Sequence, residues 1–220
     1  MDPMRSTIAR MAALAGAGVL ALGIAHATEV FDPNTRTWVP YDPGQAIRYY
    51  KQHGQVPSDF QRQVVTFRTA EKPGTIVIDA NKHFLYLVLG DFKAMRYGIG
   101  VGRDGFGWAG IVRVGRKTEW PTWTPPAEMV ARDPKAAKWA NGMPGGVDNP
   151  LGARAMYLYE GDQDTIYRIH GTNEPWSIGL DISSGCIRMN NDDVIDLYER
   201  VPVGAKVIVL MQGAALYRGV

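Results

Sequence analysis

The hydrophobic pattern of the chain changes near residue 72. Residues 28–71 are mostly polar and carry proline and glycine turn signals. Beyond them, short apolar and β-branched runs recur at a spacing typical of hairpins. These runs predict strands over residues 75–78, 83–89, 95–101, 108–115, 153–159, 167–170 and 206–210. Positions 84–89 are apolar on both faces, which predicts a strand inside a layered core.

One amphipathic helix is predicted near the end of the chain. Its apolar stripe has the spacing i, i+3, i+4 and i+7 and consists of Val194, Leu197, Tyr198 and Val201. Asn190 or Asn191 can cap its start, and Pro202 and Gly204 end it. The sequence therefore predicts a mainly β domain over residues 72–212, with one helix near its end and a tail over residues 213–220.

The first 27 residues have the features of an export signal. Arg5 and Arg10 precede an apolar run over residues 11–25, and the small-x-small pattern of a cleavage site ends at Ala27. We therefore expect cleavage after Ala27, export to the periplasm, and a leader or arm over residues 28–71. The alternative is an uncleaved membrane anchor, but the run is shorter than the ~20 residues that span a bilayer.

Composition and charge exclude several classes of function. The formal net charge is +2, too small for a protein that binds nucleic acid by neutralising phosphates. The motif over residues 100–105 matches a dinucleotide-binding fingerprint, but the glycine-rich stretch after it does not favour the helix that such a site requires. The four histidines form no metal-binding spacing, so we predict neither metal nor cofactor, although a zinc site containing His170 and Cys186 is conceivable.

The single cysteine is the strongest chemical signal. In an exported protein an unpaired thiol is a reactive residue or an intermolecular partner, and the alternative is a small buried side chain. Cys186 follows the small residues Ser183, Ser184 and Gly185, and His170 ends a predicted strand. A histidine beside a cysteine can accept the thiol proton and return it to a leaving group. We therefore expect Cys186 to be a nucleophile, and alkylation no faster than that of free cysteine near neutral pH would instead favour a catalytically silent module.

The stretch Ser184-Gly185-Cys186 also has the composition of an oxyanion turn, because glycine lets backbone N–H groups approach a developing negative charge. Arg188 follows closely and is suited to pair with a substrate carboxylate, with a structural salt bridge as the equal alternative. Asn190 either supports the cysteine turn or caps the helix.

At these residues the sequence resembles the L,D-transpeptidases of the bacterial cell wall. Their signature is a histidine followed by Gly-Thr, then a loop and a Ser-[His or Ser]-Gly-Cys segment with Arg and Asn just after. It stands here as His170-Gly171-Thr172 and Ser183-Ser184-Gly185-Cys186-x-Arg188-x-Asn190. Stretches at residues 73–78, 120–126 and 149–154 are similar as well, so the resemblance covers about residues 72–212. Many members have a histidine where this chain has Ser184, so a role for a second active-site histidine does not carry over.

The resemblance implies a β-sandwich or barrel of mixed sheets with one helix after the catalytic cysteine. It also implies that Cys186 attacks the amide between diaminopimelate and the terminal D-Ala of a tetrapeptide stem, that His170 protonates the leaving D-Ala, and that an amine of a second stem then forms a 3→3 cross-link. The Gly171 carbonyl would orient His170, and the N–H groups of Gly185 and Cys186, in the turn with Ser184, would hold the oxyanion. The expected substrate-binding residues are Arg188, Thr172, Trp176 and Asn190.

Alternative functions remain open at this point. Water in place of an amine would make the protein a hydrolase of stem peptides, and a protein acceptor would make it an enzyme that attaches or releases an outer-membrane lipoprotein. A catalytically silent wall-binding module is a further possibility. The resemblance also implies that a carbapenem adds covalently to Cys186.

Overall fold

The computed structural model describes residues 29–32, 37–40, 56–102, 108–183 and 185–210. The chain divides into two compact units, residues 1–41 and 42–220. In the first unit, β1 (Glu29–Asp32) pairs antiparallel with β2 (Thr37–Pro40). The predicted signal, over residues 1–27, and the predicted tail, over residues 213–220, lie outside the described residues.

The second unit contains ten strands and three α-helices among the residues that are described. The strands are β3 (Gln63–Thr66), β4 (Ile76–Asp79), β5 (Phe84–Gly90), β6 (Lys93–Gly102), β7 (Gly110–Glu119), β8 (Arg154–Glu160), β9 (Gln163–His170), β10 (Asp181–Ser183), β11 (Ile187–Met189) and β12 (Lys206–Leu210). The helices are α1 (Ala127–Arg132), α2 (Pro134–Ala137) and α3 (Asn191–Arg200).

The strands form one mixed sheet that closes on itself. Its order runs β6-β11-β9-β8-β7-β12-β4-β5, and β5 pairs again with β6. The pairs β11–β9, β12–β4 and β10–β6 are parallel, and the others are antiparallel. The structure thus confirms the mainly β fold with mixed pairing. Closure leaves few open strand edges, which protects the sheet from edge-to-edge association.

Helix α3 supplies part of the main core. Val194, Leu197 and Val201 are buried and join the inward-facing side chains of the sheet in a single apolar cluster. The helix begins as predicted, because the Asn190 side chain caps it by accepting a hydrogen bond from the Asn191 N–H at 3.0 Å. Since α3 follows β11 directly, its first turn lies next to the strand that begins just after the predicted nucleophile.

Several elements were not predicted. Helices α1 and α2 are short, and β3, β10 and β11 have only three or four residues each. Strand β5 does separate two apolar clusters, with Leu85 and Leu87 in one and Val88 in the other, but Leu89 is exposed. The layered position predicted for this strand is therefore correct except at its end.

Candidate active site

The parallel pairing of β9 with β11 brings the two halves of the motif together. Ile187 pairs with Ile169, and Arg188 pairs with His170. The two isoleucines are buried in the main core. Because side chains alternate along a strand, His170 and Arg188 lie on the opposite face of the sheet. Cys186 directly precedes β11 and so lies at the edge of this same face.

The His170 ring is buried and held by the next residue. Its Nδ1 lies 2.6 Å from the Gly171 carbonyl oxygen. Because a carbonyl can only accept a hydrogen bond, Nδ1 carries the proton and Nε2 keeps a free lone pair. Burial above all, together with the Arg188 and Arg168 charges, lowers the pKa of His170 from 6.5 to about 3, and the Gly171 hydrogen bond opposes part of this shift. The imidazole is therefore neutral near pH 7 and able to accept a proton.

The Cys186 thiol is protonated in the resting protein. Burial raises its pKa, although a hydrogen bond from the Arg168 backbone and the charges of Arg168 and Arg188 offset part of this effect. The same two arginine charges act on His170 and on Cys186, as expected for neighbouring groups. A thiol with a raised pKa contains less thiolate than free cysteine, so slow alkylation is now expected and no longer separates a nucleophile from a silent module.

The turn before Cys186 is fixed by Ser183. Its hydroxyl donates to the Cys186 carbonyl at 2.6 Å and accepts from the Gly185 N–H at 3.2 Å. Gly185 has φ = 107°, a conformation that L side chains rarely adopt. The Gly185 N–H, predicted to face the oxyanion, is thus engaged by Ser183 instead. Ser184, predicted in the same turn, lies outside the described residues.

Arg188 forms the salt bridge that was the alternative to substrate binding. Its Nη1 lies 2.9 Å from Glu174 Oε2. Its Nε is buried and has no hydrogen-bond partner within the described part of the chain. One edge of the guanidinium is thus held by the protein, and a polar atom of the group remains unsatisfied.

The other predicted substrate-binding residues have different surroundings. Thr172 is buried, and its hydroxyl accepts the Glu174 N–H at 3.0 Å. Trp176 lies half-buried in a 3₁₀ turn, Pro175–Ser177. Asn190 caps α3, the structural role considered above. All three lie in segments adjoining the β9–β11 pair.

Asn191 is a residue whose role the sequence analysis missed. Its Oδ1 accepts the Ala153 N–H at 3.0 Å and the Thr172 N–H at 3.2 Å. A Cβ atom at Gly171 or Gly152 would overlap with this oxygen, so both positions require glycine. One side chain at the start of α3 thus connects the segment before β8 to the segment after His170. The available sequence signal for this role is an asparagine near the start of a predicted helix, but it indicated only that Asn190 or Asn191 could cap that helix.

Other chemistry is not supported within the described ranges. No group of three histidine, cysteine or acidic residues there could hold a metal ion. Gly100 and Gly102 of the dinucleotide-like motif are part of strand β6, while Gly105 is outside those ranges. In the same ranges, none of the helices has the length and apolarity needed to cross a bilayer.

Comparison with known proteins gives a consistent family match. The model of the L,D-transpeptidase catalytic domain matches residues 73–209. "Probable L,D-transpeptidase YbiS" of Escherichia coli is 37% identical over 139 residues, which are 61% of this chain and 43% of that protein. The chain therefore matches less than half the length of this curated relative.

Two solved structures are also similar. "Probable carnitine operon oxidoreductase caia" from Brucella melitensis shares 52% sequence identity and covers 72% of this chain and 98% of its own, with a TM-score of 0.49. The catalytic domain of the Enterococcus faecium L,D-transpeptidase, acylated by ertapenem, shares 20% identity and covers 64% of this chain and 98% of its own, with a TM-score of 0.46.

Proposed function

We propose, from the chain's membership of the L,D-transpeptidase catalytic-domain family, that it is a cysteine acyl-transferase acting on peptidoglycan stem peptides in the periplasm. The observation that carries this proposal is the His170 ring, which is held by Gly171 in the tautomer that accepts a proton, on the sheet face next to Cys186.

The proposed acylation begins from a neutral pair. As the Cys186 sulfur attacks the carbonyl between diaminopimelate and D-Ala, its proton passes to Nε2 of His170. The tetrahedral intermediate then collapses, the C–N bond breaks, and His170 gives the proton to the amine of the leaving D-Ala. A thioester remains on Cys186. Transfer of the proton during attack suits a thiol with a raised pKa, because no thiolate has to form beforehand.

The second half of the reaction restores the thiol. A side-chain amine of another stem attacks the thioester carbonyl and gives one proton to His170. The C–S bond then breaks, and His170 returns this proton to the sulfur. The product is a 3→3 cross-link. The proposed oxyanion donor is the Cys186 N–H, since the Gly185 N–H already binds Ser183. Arg188 is proposed to meet a stem carboxylate through Nη2, because Glu174 holds Nη1 and Nε is buried.

The experiment that tests this function weighs the products of the reaction. Purified protein is incubated with tetrapeptide muropeptides, and the products are separated and weighed. Dimers linked 3→3 are expected. Tripeptide monomers alone would identify a hydrolase, and transfer only onto a lipoprotein peptide would identify an attachment enzyme. No change in the muropeptides would contradict the proposal and favour a silent wall-binding module.

A further inference from the structure

A row of three side chains crosses the sheet from Cys186. Arg116 of β7 pairs with Tyr157 of β8, and Tyr157 pairs with Arg168 of β9. The parallel register of β9 and β11 places Arg168 beside Cys186. Paired residues share a face of a sheet, and Arg168 is two residues from His170, so the row lies on the active-site face. We call Arg116, Tyr157 and Arg168 the arginine row.

Irregular pairing shapes the arginine row on both sides of Tyr157. The register of β7 with β8 shifts between Val114 and Arg116, and the register of β8 with β9 shifts between Tyr157 and Tyr159. At the first shift, a Cβ on Gly115 would overlap the Tyr159 ring, so that position requires glycine. Such bulges redirect side chains and are frequent beside active sites.

The two arginines lie against the same aromatic ring. The guanidinium carbon of Arg116 is 3.4 Å from the Tyr157 ring centroid, and that of Arg168 is 4.3 Å from it. The ring supports both cations and limits their motion. Both guanidinium groups are therefore positioned before any ligand binds.

Arg116 differs from Arg168 in its charge partners. Asp164 accepts two hydrogen bonds from Arg168, at 2.6 and 2.9 Å. Arg116 is exposed and donates to the Thr118 hydroxyl at 3.1 Å, but it has no ion-pair partner in the part of the chain that the structure describes. Asp164 thus balances one of the two positive charges of the arginine row. The Arg116 charge also lowers the pKa of Asp164, but the direct partner of that carboxylate is Arg168, so the surplus cation is Arg116.

We infer that the arginine row binds a free carboxylate of the donor stem, on the amino-terminal side of the residue that Cys186 attacks. Neighbouring strands are ~4.8 Å apart, so Tyr157 and the cation on it lie ~10 Å from Cys186. Two to three extended peptide residues span ~7–10 Å. An acidic residue that is joined to the attacked one through its side-chain carboxyl keeps a free α-carboxylate. Such a group is within this reach, and the guanidinium fork matches carboxylate geometry.

The inference rests on the proposed function, and its test separates the two. Acylation of Cys186 is measured with a tetrapeptide stem that carries a free α-carboxylate on its second residue, and with the same stem amidated there. Wild type is expected to prefer the free carboxylate by about tenfold in kcat/KM, as a hydrogen bond to a charged group allows. Arg116→Met should abolish the preference by lowering the rate with the free acid alone, and Arg116→Lys should keep part of it.

Arg113→Met is the matched control. Arg113 is on the same strand, but it pairs with Asp162 at 3.1 Å. This variant should keep the wild-type preference, and both methionine variants should react with a carbapenem at the wild-type rate, because that small ligand on Cys186 does not reach Arg116 or Arg113. Equal rates with both stems in wild type, or the same loss in both methionine variants, would overturn the inference while the proposed function stands. If neither stem acylates wild type, the proposed function itself fails.

Discussion

Removal of the Asn191 side-chain amide should destabilise the backbone segment that holds His170 in place. Its Oδ1 binds the N–H groups of Ala153 and Thr172, at 3.0 and 3.2 Å. Thr172 follows Gly171, whose carbonyl holds the His170 ring. Asn191→Ala deletes the acceptor and leaves two backbone donors without it. The variant should therefore affect both the stability of the fold and the orientation of the histidine.

The magnitude follows from the two hydrogen bonds. Each buried donor left without a partner costs about 1–3 kcal/mol, and the substitution leaves two such donors. Because water that enters the space recovers part of this cost, the free energy of unfolding should fall by about 2–4 kcal/mol. For a chain of this size, such a loss lowers the melting temperature by about 4–15 °C. A displacement of the imidazole by about 1 Å can slow acylation by up to about 100-fold.

Two measurements check this prediction. Thermal unfolding gives the stability, and the rate of acylation by a carbapenem, measured well below the melting temperature, gives the effect on the site. Asn191→Asp keeps an acceptor oxygen and is the matched control for stability. Wild-type stability and wild-type acylation in Asn191→Ala would refute the reasoning, and so would an equal loss of stability in Asn191→Asp.

Three further predictions concern the reacting groups and their turn. Between about pH 6.5 and 3, the unfolded chain binds a proton at His170 that the folded protein does not bind. Acidification over this range should therefore lower the free energy of unfolding of wild type relative to His170→Asn by up to ~1.4 kcal/mol per pH unit. Parallel curves of unfolding free energy against pH for the two proteins would contradict this prediction. Because burial raises the pKa of Cys186, iodoacetamide should label the folded protein more slowly than free cysteine at pH 7, and faster labelling would show that the resting thiol is ionised. Gly185→Ala should cost about 1–2 kcal/mol in unfolding free energy, because φ = 107° is strained for alanine, and should slow acylation; a variant as stable and as fast as wild type would refute the strain.

Much of the fold could be predicted because its strands have a clear apolar pattern. Strand β12 occupies the predicted residues 206–210. Of the predicted helix stripe, Val194, Leu197 and Val201 are buried and Tyr198 is half-buried. The boundaries failed where pairing is irregular. Strand β7 was expected to end at Gly115 but continues to Glu119 through the bulge at that glycine, and β9 begins at Gln163, before Ile166 with φ = 63°. In a single sequence, a glycine such as Gly115 does not distinguish a bulge from a turn, and an isoleucine such as Ile166 does not indicate a left-handed backbone conformation.

The candidate active site also has a part that could be predicted from sequence and a part that could not. The pairing of residues 169–170 with residues 187–188 agrees with the grouping of the two motif segments from sequence. The partners of Arg188 and Asn191 could not be predicted, because Glu174 and Ala153 meet them only through the loops that the fold brings together. Likewise, the raised pKa of the Cys186 thiol results from burial, which residue types alone do not reveal.

Acylation of Cys186 with His170 as the base is best tested by the mass of the intact protein after brief incubation with a tetrapeptide stem. Wild type is expected to gain the mass of the acyl tripeptide at Cys186, Cys186→Ala to gain nothing, and His170→Ala to gain it far more slowly. An equal adduct on Cys186→Ala, or an undiminished rate in His170→Ala, would contradict this mechanism.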